Sequence, residues 1–79
     1  MNKIELLQSW GFKRVPSNGI EFYRLVVNDR LLVEVYTSFQ VFGIDCVDII
    51  TINEDSDKCY TELPKVNSIE KVKQLIDLL

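Results

Sequence analysis

The sequence predicts a two-layer α+β domain, a three- to four-stranded antiparallel sheet with one helix from each end of the chain, in the order α-β-β-β-(β)-α. Three observations predict it. Apolar residues recur at helical spacing only near the two ends, β-branched and aromatic residues fill the runs between, and turn-forming residues separate those runs. With 79 residues, 47% of them hydrophobic, the chain makes one compact domain over 1–79.

The first helix is announced by Asn2-Lys3-Ile4-Glu5, which has the spacing of a capping box. Ile4, Leu7 and Trp10 then recur at helical spacing, with Leu6 beside them, so the pattern predicts a helix over 3–10. Gly11 stands where helix ends favour a left-handed residue. Phe12 after it is the apolar partner that a Schellman motif sets against Leu7. Residues 13–19 read as a loop, because Pro16 forbids helix and Ser17-Asn18-Gly19 is turn chemistry.

Residues 20–27 and 30–39 are β-rich runs divided by Asn28-Asp29, which tolerate the positive φ of a tight hairpin. That loop pairs Val27 with Arg30, Leu25 with Leu32, Tyr23 with Glu34 and Glu21 with Tyr36. A third run covers 44–53, with Gly43 bending the chain into it. After the polar turn at 53–57, residues 58–63 form a short fourth strand whose charged and polar residues suit a sheet edge, and Pro64 stops it. Asn67-Ser68-Ile69-Glu70 is a second capping box. Ile69, Val72, Leu75, Ile76 and Leu79 follow as one apolar stripe, opposite Glu70, Lys71, Lys73, Gln74 and Asp77.

Two helices with one stripe each cover one sheet face, assigned to Ile20, Phe22, Val26, Leu31, Val33 and Val35. The other face then shows Glu21, Tyr23, Leu25, Leu32, Glu34 and Tyr36, continued by Val47, Ile49, Tyr60 and Glu62. An ordinary solvated face is mostly Lys, Glu, Thr and Ser. Tyrosine instead buries area at little rotamer cost and keeps a polar handle, so this face reads as a protein-contact or self-association surface. The bland alternative is that 39–43 or the chain ends fold over it.

Catalytic chemistry finds few actors. Histidine is absent, which removes the commonest acid–base group, a serine triad and the histidine zinc sites, and no glycine-rich phosphate loop occurs. Cys46 and Cys59 lack C-x-x-C spacing and do not face one another in the proposed hairpin, so a disulfide is disfavoured. Asp45 and Asp48 on the third strand admit a raised pKa or a metal contact. The structural reading, an ion pair between Asp48 and Arg24 or a bulge, is preferred. The acidic turn at Glu54, Asp55 and Asp57 lacks the glycine and closing glutamate of a calcium loop. The reading is therefore non-enzymatic, with no cofactor and no metal.

A formal charge of −3 opposes phosphate binding. No apolar run is long enough for a signal peptide or a membrane span, and the cysteine usage suits the cytoplasm. The expected partner is a protein or a second copy in a homodimer, with no membrane and with nucleic acid disfavoured. The alternative is a nucleic-acid-associated accessory protein using Lys13, Arg14, Lys65, Lys71 and Lys73.

The α-β-β-β-α order resembles the double-stranded-RNA-binding domain, which implies a basic start to the second helix and a histidine in a short loop. Here Glu70 dilutes Lys65, Lys71 and Lys73, and Asn28-Asp29 has no histidine, so the activity is not carried over. Gly11-Phe12 ending a short helix, the hairpins after it and the amphipathic stretch 68–79 resemble small α+β proteins of phages and other mobile elements. That resemblance implies an accessory role, binding a host or defence protein, and carries over no functional residue.

Overall fold

The computed structural model describes residues 2–17, 20–37 and 44–79, without the side chains of Ser17, Ile20, Ile44 and Asp45. Its elements are α1 (Lys3–Ser9), β1 (Lys13–Ser17), β2 (Ile20–Asn28), β3 (Leu31–Thr37), β4 (Ile44–Ile52), β5 (Lys58–Glu62) and α2 (Ile69–Leu78). The sheet is an antiparallel meander in the order β1-β2-β3-β4-β5. The architecture is α+β, as the sequence predicts, with five strands in place of three or four.

The fifth strand is β1, where the sequence reads as a loop. Pro16 has no N–H to give a ladder, but β1 lies at the sheet edge, where a missing donor costs little. The Asn18-Gly19 turn, the Gly43 bend and the segment 39–43 lie outside the described residues.

Both helix starts are capped by side chains. Asn2 Oδ1 accepts from the Glu5 backbone N–H at 2.8 Å. At α2 the cap is Ser68, one residue later than the predicted box, and its Oγ accepts from the Lys71 N–H at 3.3 Å. Asn67 instead accepts from Lys71 Nζ. The end of α1 is the predicted Schellman motif. Phe12 N–H donates to the Leu7 carbonyl at 3.0 Å, Gly11 N–H donates to the Gln8 carbonyl at 3.1 Å, and Gly11 has φ +101°. The motif drives Phe12 back onto Leu7, and both are buried.

The core lies between the helices and one sheet face. Leu7, Phe12, Ile69 and Val72 meet Tyr23, Val33, Val35 and Val47, with Trp10, Leu25, Val27 and Leu75 packed around them. Leu79, predicted in the apolar stripe of α2, lies beyond its last turn and is 47% exposed.

The β2–β3 register differs from the predicted one. The turn sits one residue later, over Asp29-Arg30, with Asn28 opposite Leu31 and Val27 bulged out of the ladder. Asn28 Oδ1 accepts from the Arg30 N–H at 2.8 Å, an Asx-type closure that holds the later turn. Tyr23 therefore pairs with Val35, not Glu34, and Leu25 with Val33, not Leu32. A slip of one residue exchanges the two faces of a strand. Tyr23, Leu25 and Val27 face the helices, and Phe22, Arg24 and Val26 face away.

Candidate functional site

On the helix-free face the register aligns side chains in transverse rows. Val15, Phe22, Tyr36 and Cys46 form one row, and Lys13, Arg24, Glu34, Asp48 and Glu62 the next. Val26, Leu32, Ile50 and Tyr60 form the third, ending toward Ile52 and Lys58. A charged row thus runs between two apolar ones, cationic on β1 and β2 and anionic on β3, β4 and β5.

Four side chains lock the centre. The Arg24 guanidinium donates to Glu34 Oε2, from Nε at 2.8 Å and from Nη2 at 2.7 Å. Tyr36 donates its hydroxyl to Glu34 Oε1 at 3.1 Å and stacks on Phe22 with ring centroids 5.0 Å apart. Arg24 in turn lies over the Phe22 ring, 5.6 Å from its centroid. Glu34 is only 3% exposed, and the two donors compensate its burial. Burial and the nearby Glu34 carboxylate push the Tyr36 phenol up to about 12.

Asp48 stands directly between Glu34 and Glu62. Partial burial first, then those two carboxylates, raise its pKa. The ion pair preferred from sequence, Asp48 with Arg24, is not formed, because the register sets Arg24 opposite Glu34. Among the described residues no group of three or more His, Cys, Asp or Glu side chains is placed to hold a metal ion. Cys46 stands opposite Tyr36 and Cys59 opposite Thr51, on different faces of the sheet, so no disulfide joins them.

Of the predicted contact residues, Leu32, Glu34, Tyr36 and Tyr60 share the helix-free face. Glu21, Tyr23, Leu25, Val47 and Ile49 do not, the last two because they stand opposite Val35 and Val33 on the helix-covered face. Tyr23 is 3% exposed in the helix-covered core and Leu25 packs against that core. Glu21 pairs with Arg14. Glu34, predicted as open, is buried under Arg24 and Tyr36. In their place come Lys13, Val15, Phe22, Arg24 and Val26, which sequence parity assigned to the other face or to a loop. One signal pointed to them: the assigned core face of β2 carried a charge at its middle, Arg24, whereas Glu21, the charge on the other parity, stands near the strand's start.

Exposure is uneven. Val26 is 63% and Tyr60 59% exposed, at the two ends of one apolar row, whereas Ile50 between them is buried. Of the basic residues of the nucleic-acid alternative, Lys65 and Lys71 line one groove beside α2. Arg14 is paired with Glu21 and Lys73 with Asp77, and Lys73 also lies over Trp10, 5.7 Å from the ring centroid. A groove of about 380 Å³ between α1 and α2 is lined by Leu6, Trp10, Ile69, Glu70, Lys73 and Gln74. No helix among the described residues is long and apolar enough to cross a membrane. No family model, no curated protein and no solved structure matches the chain.

Proposed function

We propose that this protein is a non-enzymatic docking module that binds another protein chain through its helix-free sheet face. The observation that carries the reading is the row Val26–Leu32–Ile50–Tyr60, whose two ends are exposed apolar side chains on one side of one sheet. Protein contacts are built from such an apolar strip beside a charged border. The border here is the row from Lys13 to Glu62, and its centre is held rigid by Arg24, Glu34, Tyr36 and Phe22. Rigid side chains lose little entropy on docking. The Glu34 carboxylate already accepts from two donors, which favours a role in shaping the surface over acid–base work. The exposed Cys59 thiol suits the reducing cytoplasm.

The test is a photo-reactive amino acid placed at Val26 or Tyr60 in producing cells, with Glu70 on α2 as the control position. Discrete protein adducts from the sheet-face positions, and none from Glu70, are expected. Equal adducts from all three positions, or none from Val26 and Tyr60, would overturn the reading.

A further inference from the structure

The two edges of the sheet differ in character. Along β1, Pro16 offers no N–H and Lys13 and Arg14 line the strand with cations, devices that blunt an edge against pairing. The opposite edge, β5, has no proline, and its five residues are exposed throughout.

The backbone of β5 turns its spare groups outward at three places. At one end of the β4–β5 ladder Asn53 N–H donates to the Asp57 carbonyl at 3.0 Å, and at the other Leu63 N–H donates to the Val47 carbonyl at 2.8 Å. Residues that bond a given neighbour alternate along an antiparallel strand with residues that turn away from it. Between those two anchors Thr51 faces Cys59 and Ile49 faces Thr61, so Cys59 and Thr61 bond β4. Lys58, Tyr60 and Glu62 therefore aim N–H and C=O away from the sheet. Their side chains lie on the helix-free face, in register with Ile52, Ile50 and Asp48.

We propose that β5 pairs antiparallel with the β5 of a second copy about a two-fold axis at Tyr60, joining two sheets edge to edge. This goes beyond the reading of the sheet face as a docking surface: it concerns the β5 edge and leaves Val26, at the far end of the apolar row, open to another partner. The strand Lys58-Cys59-Tyr60-Thr61-Glu62 is its own complement in that arrangement. The three residues with outward backbone groups become the three hydrogen-bonded pairs: Lys58 with the second copy's Glu62, Tyr60 with Tyr60, and Glu62 with Lys58. Opposite charges face each other twice, and two tyrosines meet at the axis. The row Val26–Leu32–Ile50–Tyr60 continues without interruption into its copy, so the exposed Tyr60 gains an apolar neighbour. Each Lys58 also arrives beside Glu62, the end of the acidic row Glu34–Asp48–Glu62. A strand of arbitrary sequence would satisfy only the backbone.

The test is sedimentation of the full chain under reducing conditions over a wide concentration range, for the natural protein and three variants. Lys58→Glu and Glu62→Lys each set like charges opposite one another twice per dimer, so each is expected to weaken dimerisation by roughly tenfold or more. The double variant K58E/E62K restores opposite pairs and is expected to recover to within about threefold of the natural protein. The residues of β5 are exposed, and the circular dichroism and Tm of the variants serve as the check on folding. The register is tested independently by Thr61→Cys. The proposed axis sets residue 61 opposite the second copy's Cys59 in a non-hydrogen-bonded pair, with Cα atoms about 4.5 Å apart, within disulfide reach. Mild oxidation is expected to give a covalent dimer that Cys59→Ser abolishes. A monomer up to the solubility limit, a dimer indifferent to the single charge reversals, or a double variant no better than the singles would overturn the pairing. Adducts to a different protein from Val26 would then leave the docking reading standing, whereas their absence would remove both.

Discussion

Replacing Gly11 with alanine tests the element on which the whole helical layer turns. Gly11 has φ +101° and supplies one of the two hydrogen bonds that end α1 and return Phe12 to Leu7. An L-residue in left-handed backbone costs about 1–2 kcal/mol. The added β-carbon would also meet Leu25 Cδ1 at 3.2 Å, closer than ordinary contact. That methyl is the end of a side chain and can yield by an off-rotamer shift, adding roughly 0.5–1 kcal/mol. The sum is about 2 kcal/mol, a large share of the roughly 4–12 kcal/mol available to a domain of this size. In urea the midpoint should fall by about 1 M or more with the slope unchanged. A cycle with Leu25→Ala separates the two parts, since only the steric part couples to residue 25. A loss below about 0.5 kcal/mol, or a coupling equal to the whole effect, would refute the backbone argument.

Three further outcomes follow from the charged row and from Tyr36, whose hydroxyl bonds it. Asp48 holds its proton more tightly folded than unfolded, so its ionisation opposes folding above the raised pKa and has no effect below the ordinary carboxylate range. Asp48→Asn should therefore stabilise the protein at pH 7, and the gain should shrink to nothing as pH falls through that window, as read by thermal melts across pH. Tyr36 is an acid raised to about 12, so stability should decline from pH 10 upward, and Tyr36→Phe should flatten that decline in the same melts. Glu34→Ala removes the acceptor of Arg24 and Tyr36 at once. A fully buried pair would lose more, but the Arg24 side chain is 36% exposed and recovers water, so the loss should be about 1–2 kcal/mol by urea unfolding.

The hairpin between β2 and β3 shows where reading a sequence by parity stops. Asn28-Asp29 and Asp29-Arg30 are adjacent choices for the turn, and nothing local separates them by more than the Asn28 side-chain bond to Arg30 N–H. The choice nevertheless decides which half of β2 is core. It moved Glu21, Tyr23 and Leu25 to the helix side and brought Phe22, Arg24 and Val26 to the candidate face, while Leu32, Glu34, Tyr36 and Tyr60 kept theirs. β3 was legible because Val33 and Val35 contrast with Glu34 on alternate positions. β2 carries one charge on each parity, Glu21 and Arg24, among apolar residues, so alternation alone did not separate its faces.

Local chemistry alone determined the two capped helices, the glycine-ended first one above all, and the strand-rich interior, because caps, periodicity and turn residues act within a few positions of one another. Only the tertiary structure decided that β1 exists and that Arg24 meets Glu34 rather than Asp48. Those outcomes depend on which backbone edge is vacant and on a single-residue choice of register. Both are resolved by the core as a whole, which in the observed register buries Tyr23 in one cluster with Leu7, Phe12 and Val72.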